Sequence, residues 1–226
     1  MLKDNIPTNI QPALNDLSVA MNHEIVFILD FIDRNISGFV LYYLKIRDSD
    51  RENRISFFLS CYLNACLVDE KDGFCSFNFV KNPAQESSTK ETDIGVVPLS
   101  KTEKPVTIIE FEAKRFSETS NNKEYVCGER GGIERFKRGY HSAHLSICGM
   151  FAYVQSSKSE DWISKVNVWI KAESENNTDL EIDWKSIDEK LITNTVFQNV
   201  NKLKSIHSRK QSKDSILLWH YFINLC

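Results

Sequence analysis

The sequence predicts an α/β fold in which a helix, three strands, a second helix and a fourth strand build one mixed sheet, with helices before this core and a helix-helix-hairpin extension after it. Three observations predict it. Ile55 to Val68 runs without a charge and repeats apolar side chains at helical spacing. Residues 74–114 hold three short apolar runs of alternating or β-branched character. An apolar stripe at helical spacing follows Gly131-Gly132 and leads straight into another apolar run.

A chain of 226 residues suits one domain with appended elements. We read it as a single domain, with an N-terminal helical segment over 1–47, a core over 48–157 and an extension packed on that core over 158–226. The 42% hydrophobic and 26% charged residues exclude a disordered or collagen-like chain. A net charge of −3, from 28 Lys plus Arg against 31 Asp plus Glu, excludes a protein that holds nucleic acid by bulk charge alone. The six cysteines form no Cys-x-x-Cys pair, so a reducing compartment is expected. Met1-Leu-Lys-Asp-Asn-Ile-Pro has no secretory pattern, and no apolar run reaches the roughly 18 residues that span a bilayer. The expected location is the cytoplasm, away from membranes.

Residues 12–34 carry Leu14, Leu17, Met21, Ile25, Ile28, Leu29 and Ile32 at helical spacing with acids between them, an amphipathic helix. Phe39 to Ile46 is apolar and reads as helix or strand. Asp48, Asp50 and Glu52 supply cap residues and first-turn acids for the first core helix, whose apolar positions are Ile55, Phe58, Leu59, Tyr62, Leu63 and Leu67. Phe74 to Val80 alternates, with Phe74, Ser76, Asn78 and Val80 on one face, and Asn82-Pro83 ends it. Thr92 to Val97 is a second strand closed by Pro98, and Val106 to Lys114 is the most strand-like run by its β-branched and aromatic content. The helix after Gly131-Gly132 has the stripe Ile133, Phe136, Tyr140, Ala143 and Ile147, with Gly149 as its cap. Met150 to Gln155 is the fourth strand. Trp162 to Ile170 and Trp184 to Leu191 read as helices, and Val200 to Ser208 with Ile216 to Leu225 as the final hairpin.

Acid-x-Lys occurs four times, beginning at Asp69, Glu112, Asp183 and Asp188, and only Glu112 and Lys114 fall in an apolar strand, where residues two apart share a face. Charges in the middle of a strand covered on both sides are costly unless paired or bound to metal. Asp93 in the preceding strand brings a second carboxylate beside Glu112 if the two strands pair. Two carboxylates at close range repel and together suit a hard divalent cation, Mg²⁺ or Mn²⁺. A lysine beside metal-bound water orients or deprotonates it, which is work suited to phosphodiester hydrolysis. The competing reading is a solvent-facing edge strand with ordinary exposed charges.

Asp93 followed by Glu112-Ala113-Lys114, on the second and third strands of this element order, resembles the PD-(D/E)xK phosphodiesterase superfamily, the restriction-endonuclease-like nucleases, over about residues 50–157. The resemblance implies a three-layer core with Asp93, Glu112 and the Ala113 carbonyl as metal ligands and Lys114 positioning the attacking water. It implies Glu52 as an added glutamate from the first core helix, with Asp48 and Asp50 competing for that role. Thr92 stands where the family has a proline. Gln155 resembles a glutamine that some members place near the site, and Glu110 is a neighbour only. The activity implied by the resemblance is that of a Mg²⁺-dependent endo- or exonuclease acting on DNA rather than RNA, in a setting such as defence or mobile-element DNA processing. A homodimer or a protein partner is left open. The rival is a nuclease-fold subunit that binds nucleic acid or assembles without turnover.

The expected phosphate-binding surface is the helix after Gly131-Gly132, where Arg130, Arg135, Lys137 and Arg138 stand against one acid, Glu134, and Lys137, His141 and His144 share a stripe. The C-terminal turn, with Lys202, Lys204, Arg209, Lys210 and Lys213, is a second candidate. A zinc site from Cys127, His141, His144 and Cys148 is weighed as well, but the set lacks the tight knuckle of structural zinc, and core cysteines are the commoner reading.

Overall fold

From Ile25 to Ile46, the apolar residues that suggest two elements belong to one helix. In the computed structural model, which describes residues 23–47, 51–70, 76–83, 91–101, 106–128, 131–185 and 189–226, helix α1 spans His23–Ile46 and buries a stripe from Ile25 to Tyr43. Residues 12–22, Asp48, Asp50, Phe74, Cys75 and Arg130 lie outside the described residues. Helix α2, Glu52–Asp69, starts at its acid with Arg51 as the N-cap residue and buries Ile55, Leu59, Leu63 and Leu67. Its polar positions tie it down. Ser56 meets the Tyr153 hydroxyl at 3.0 Å. Asn64 both accepts from and donates to the backbone of Phe79, at 2.9 and 2.8 Å, as a neighbouring strand would.

Among the described residues, seven strands form one mixed sheet: β1 Phe77–Lys81, β2 Ile94–Pro98, β3 Ile109–Phe116, β4 Ile147–Val154, β5 Ile192–Phe197, β6 Val200–Arg209 and β7 Asp214–Asn224, in the order β1-β2-β3-β4-β7-β6-β5. Strands β3, β4 and β7 run parallel, and the other pairings are antiparallel. The C-terminal hairpin therefore enters the same sheet, with β7 against β4 along its whole length. The central strand β4 is buried at every position, as a parallel strand covered on both faces must be. Ile109, Phe111, Ala113, Phe151 and Tyr153 pack with α1 and α2 on one face. Phe116, Met150, Ala152 and Val154 pack on the other with helix α3 (Gly132–Lys137) and helix α4 (Ser159–Asn176).

Three expectations need correction. The helix after Gly131-Gly132 ends at Lys137, because Gly139 (φ 68) and Ser142 (φ 51) take left-handed backbone that no α-helix contains. Ile147 belongs to β4, and so does Gly149. A Cβ at Gly149 would sit 2.2 Å from the Phe111 ring, so this glycine admits a side chain from the neighbouring strand rather than capping a helix. The described part of Trp184–Leu191 is irregular, while β5 is an exposed edge strand whose Thr and Asn residues show no apolar alternation. Among the described residues, no helix is long and apolar enough to cross a membrane.

Candidate active site

Strand alternation puts Glu110, Glu112 and Lys114 on the face of Phe116, opposite Phe111 and Ala113. Ile94 pairs with Phe111 in antiparallel register, and Asp93 is the bend residue just before that pair. Past that last pair, the Ala113 N–H donates to Asp93 Oδ2 at 2.7 Å, a carboxylate taking the place of a strand carbonyl. The first residue of α2 reaches the same end of the sheet. Glu52 Oε2 accepts the Arg115 N–H at 3.0 Å, and its Oε1 lies 3.8 Å from Lys114 Nζ. Lys114 Nζ donates to Glu112 Oε1 at 2.6 Å.

Two residues of the expected phosphate-binding helix turn inward instead. Arg135 donates to Glu112 Oε1 at 3.3 Å and contacts His141 Nε2 at 3.1 Å. A guanidinium only donates, so His141 Nε2 accepts and its proton sits on Nδ1. Burial pulls the His141 pKa down, which keeps the ring neutral as this bond requires. His141 Nδ1 and Arg135 Nε are buried without a hydrogen-bond partner among the described residues.

The cluster sets three carboxylates against the Lys114 and Arg135 cations. Glu112 is 3% exposed and Lys114 12%, while Glu52 keeps 29% and opens the cluster to solvent. Surrounding protein, then the Glu112 carboxylate, push the half-buried Asp93 carboxyl up to about 8 against the opposing pull of Lys114. Glu52 is raised as well, by burial first and by Glu112, with Lys114 opposing. Burial would lower Lys114, but Glu112, Glu52 and Asp93 overcome it and hold the ammonium protonated. The cluster is short of positive charge.

Glu110 is fully buried and accepts from Thr107 at 2.5 Å, Ser142 at 2.5 Å and Thr92 at 3.2 Å. Thr92 thus has a partner of its own. Gln155 follows β4 and donates its N–H to the Phe116 carbonyl, three residues beyond Ala152, the partner of Lys114.

The basic stripe does not form. Lys137 is sealed against Glu189 at 2.5 Å with its side chain unexposed. Arg138 is held by Glu134, Asp179 and Glu181, and His141 is buried at the cluster. Each has found an acid or a core contact that a charge count along the chain does not register. His144 meets Thr107, Cys127 donates to Glu173, and Cys148 lies within β4, so the four residues weighed for zinc have separate partners. Among the described residues, no group of three or more His, Cys, Asp or Glu side chains is arranged to hold a metal ion. Of the cations expected in a C-terminal turn, Lys202, Lys204 and Arg209 lie in β6, and Lys202 pairs with Asp33 of α1. Arg209 is buried, clamping the carbonyls of Phe136 in α3 and of Ser142 and Ala143 after it. This clamp, at the segment that holds Arg135 and His141, has no signal in the sequence. No family model matches the chain, and no curated protein or solved structure matches it either.

Proposed function

We propose that this protein is a metal-dependent nuclease of the restriction-endonuclease-like kind, hydrolysing phosphodiester bonds in DNA through Asp93, Glu112 and Lys114. One observation carries the reading: Asp93, Glu112, Lys114 and Glu52, from three separate elements, meet at one end of the sheet with an excess of carboxylate. The order α2, β1, β2, β3, α3, β4, with β1 to β3 antiparallel and β4 parallel to β3, supports the fold assignment. The six-residue α3 departs from it.

The donor set fits a hard divalent cation. The Asp93 and Glu112 carboxylates lie close enough to repel, and burial together with that repulsion raises Asp93, so an added cation relieves what Lys114 and Arg135 leave uncompensated. Asp93, Glu112 and the Ala113 carbonyl would hold Mg²⁺ or Mn²⁺, which supplies Lewis-acid charge stabilisation and acidifies bound water. Lys114, protonated and hydrogen-bonded to Glu112, orients the attacking water and places positive charge beside the phosphate oxygens. Arg135 fixes the Glu112 carboxylate, and Glu52 fixes the end of β3 through the Arg115 N–H.

The test is cleavage of plasmid DNA by the purified protein with Mg²⁺ or Mn²⁺ and with EDTA. Cleavage is expected only with metal, and Glu112→Gln is expected to lose both cleavage and metal binding by calorimetry, since a neutral amide is a poorer ligand for a hard cation. A wild type that binds metal and DNA but cleaves neither plasmid nor linear DNA would move the reading to a binding subunit.

A further inference from the structure

Beside Glu52, an open cleft of about 750 Å³ is lined by Arg51, Arg54, Phe57, Lys81 and Arg115. Its cations come from three elements: the start of α2, the last residue of β1 and the penultimate residue of β3. Both β1 and β3 are antiparallel to β2, so their C-terminal ends reach the same end of the sheet. Alternation at the end of β3 sends Lys114 to the carboxylate cluster and Arg115 to the other face, into the cleft. Glu52 belongs to both and is the one acid among the described lining residues.

The cleft also holds an aromatic. Phe57 is 41% exposed, with the Arg54 guanidinium 5.3 Å from its ring centroid and Phe58 edge-on at 5.8 Å. Cations that track a backbone, together with an exposed ring, are what single-stranded nucleic acid requires, since every base has a face to stack. The volume suits a nucleotide or two, in the range of small-ligand pockets, and is too small to take in a duplex.

We propose that this cleft binds one unpaired strand, its phosphates against Arg51, Arg54, Lys81 and Arg115 and a base stacked on Phe57, and leads it past Glu52 to Asp93, Glu112 and Lys114. Only that last clause rests on the nuclease reading; binding is expected whether or not the strand is cut.

Fluorescence anisotropy of the full chain in EDTA, with a short dye-labelled DNA strand and its duplex over a salt series, tests it. The wild type binds the strand more tightly than the duplex. Phe57→Ala weakens strand binding roughly tenfold and leaves duplex binding nearly unchanged. Lys81→Glu weakens binding and lowers the salt slope by about one, whereas Lys171→Glu on α4, the same charge change at an exposed surface pair with Glu175, does neither. Should Phe57→Ala melt early, Phe57→Leu keeps apolar bulk without a stacking face and must show the same loss. The proposal is overturned by strand binding that survives both Phe57 replacements, by duplex binding as tight as strand binding, or by poly-glutamate competing as well as DNA. Lost binding with plasmid cleavage intact removes this cleft and keeps the nuclease. Intact binding without cleavage does the reverse.

Discussion

Two charge clusters lie on the same face of the sheet, and helix α3 reaches both: Arg135 touches Glu112, and two residues on Lys137 touches Glu189. The second cluster is closed and balanced. Lys137 and Glu189 have side chains 0% and 1% exposed, one cation against one carboxylate, with Ser208 and Lys185 N–H groups donating to Glu189 and the Trp184 ring 4.8 Å from the ammonium. The first is open at Glu52 and holds more carboxylates than cations. The titrations diverge accordingly. Burial would raise Glu189, but His207 and Lys137 overcome it and hold the carboxyl at about 2, whereas burial and Glu112 lift Asp93 to about 8. Burial of charge alone therefore does not mark a working site. A buried pair whose partners satisfy each other holds structure, and a cluster left with surplus charge has room for a ligand.

The sharpest break of this comparison replaces the lysine of each cluster. Lys114→Ala is expected to reduce metal-dependent cleavage about 10³-fold while the melting temperature stays within a few degrees, because it removes a water-orienting group from a partly open site. Lys137→Met is expected to cost about 3–5 kcal/mol, roughly 10 °C in a chain of this size, because it strands the Glu189 carboxylate away from water. Cleavage assays and calorimetry on both variants check this. If Lys114→Ala destabilises the protein as much as Lys137→Met, both clusters are structural.

The open cluster was legible in the sequence and the closed one was not, for a physical reason. Asp93, Glu112 and Lys114 are placed by strand alternation and by pairing of neighbouring strands, both of which are local rules. Lys137 meets an acid 52 residues away, which no local rule supplies. The same limit explains the false basic stripe. Tyr140, Ala143 and Ile147 keep helical spacing with Ile133 and Phe136, yet Gly139 and Ser142 break the helix and Ile147 starts β4. The cations of the cleft were invisible in the opposite way, since Arg51, Arg54, Lys81 and Arg115 are scattered along the chain and assembled only where β1, β3 and α2 end together.

Titration sharpens the comparison next. Asp93 has a folded pKa above its unfolded value, so between about 4 and 8 the folded protein holds a proton that the unfolded chain has released. Its contribution to stability is complete below that window and lost as pH rises through it, by up to about 1.4 kcal/mol for each pH step. Metal-free wild type is therefore expected to lose stability relative to Asp93→Asn from about pH 4 and to level off above about 8, in denaturant melts at fixed ionic strength. Added Mg²⁺ is expected to flatten the wild-type curve, since the cation favours the ionised carboxylate. A constant difference between the two proteins across this range would mean that Asp93 is ionised throughout.

The closed cluster carries the opposite sign. Glu189 has a folded pKa near 2 against an ordinary 4.5, so its contribution is present above about 4.5 and lost as pH falls towards 2, up to about 3 kcal/mol in all. Glu189→Gln alone leaves the Lys137 ammonium buried without a countercharge and is expected to destabilise much as Lys137→Met does. Removing both charges together is different. A neutral Met–Gln pair of similar bulk keeps an acceptor for the Ser208 N–H and buries no ion, so the double variant is expected within about 1–2 kcal/mol of wild type at neutral pH. It should also lack the acid-limb slope. A double-mutant cycle in urea, with the slope read between pH 2 and 4.5, measures both. Simple addition of the two single losses would show that the pair is not a unit, and that its closure around Trp184 and His207 owes nothing to charge balance.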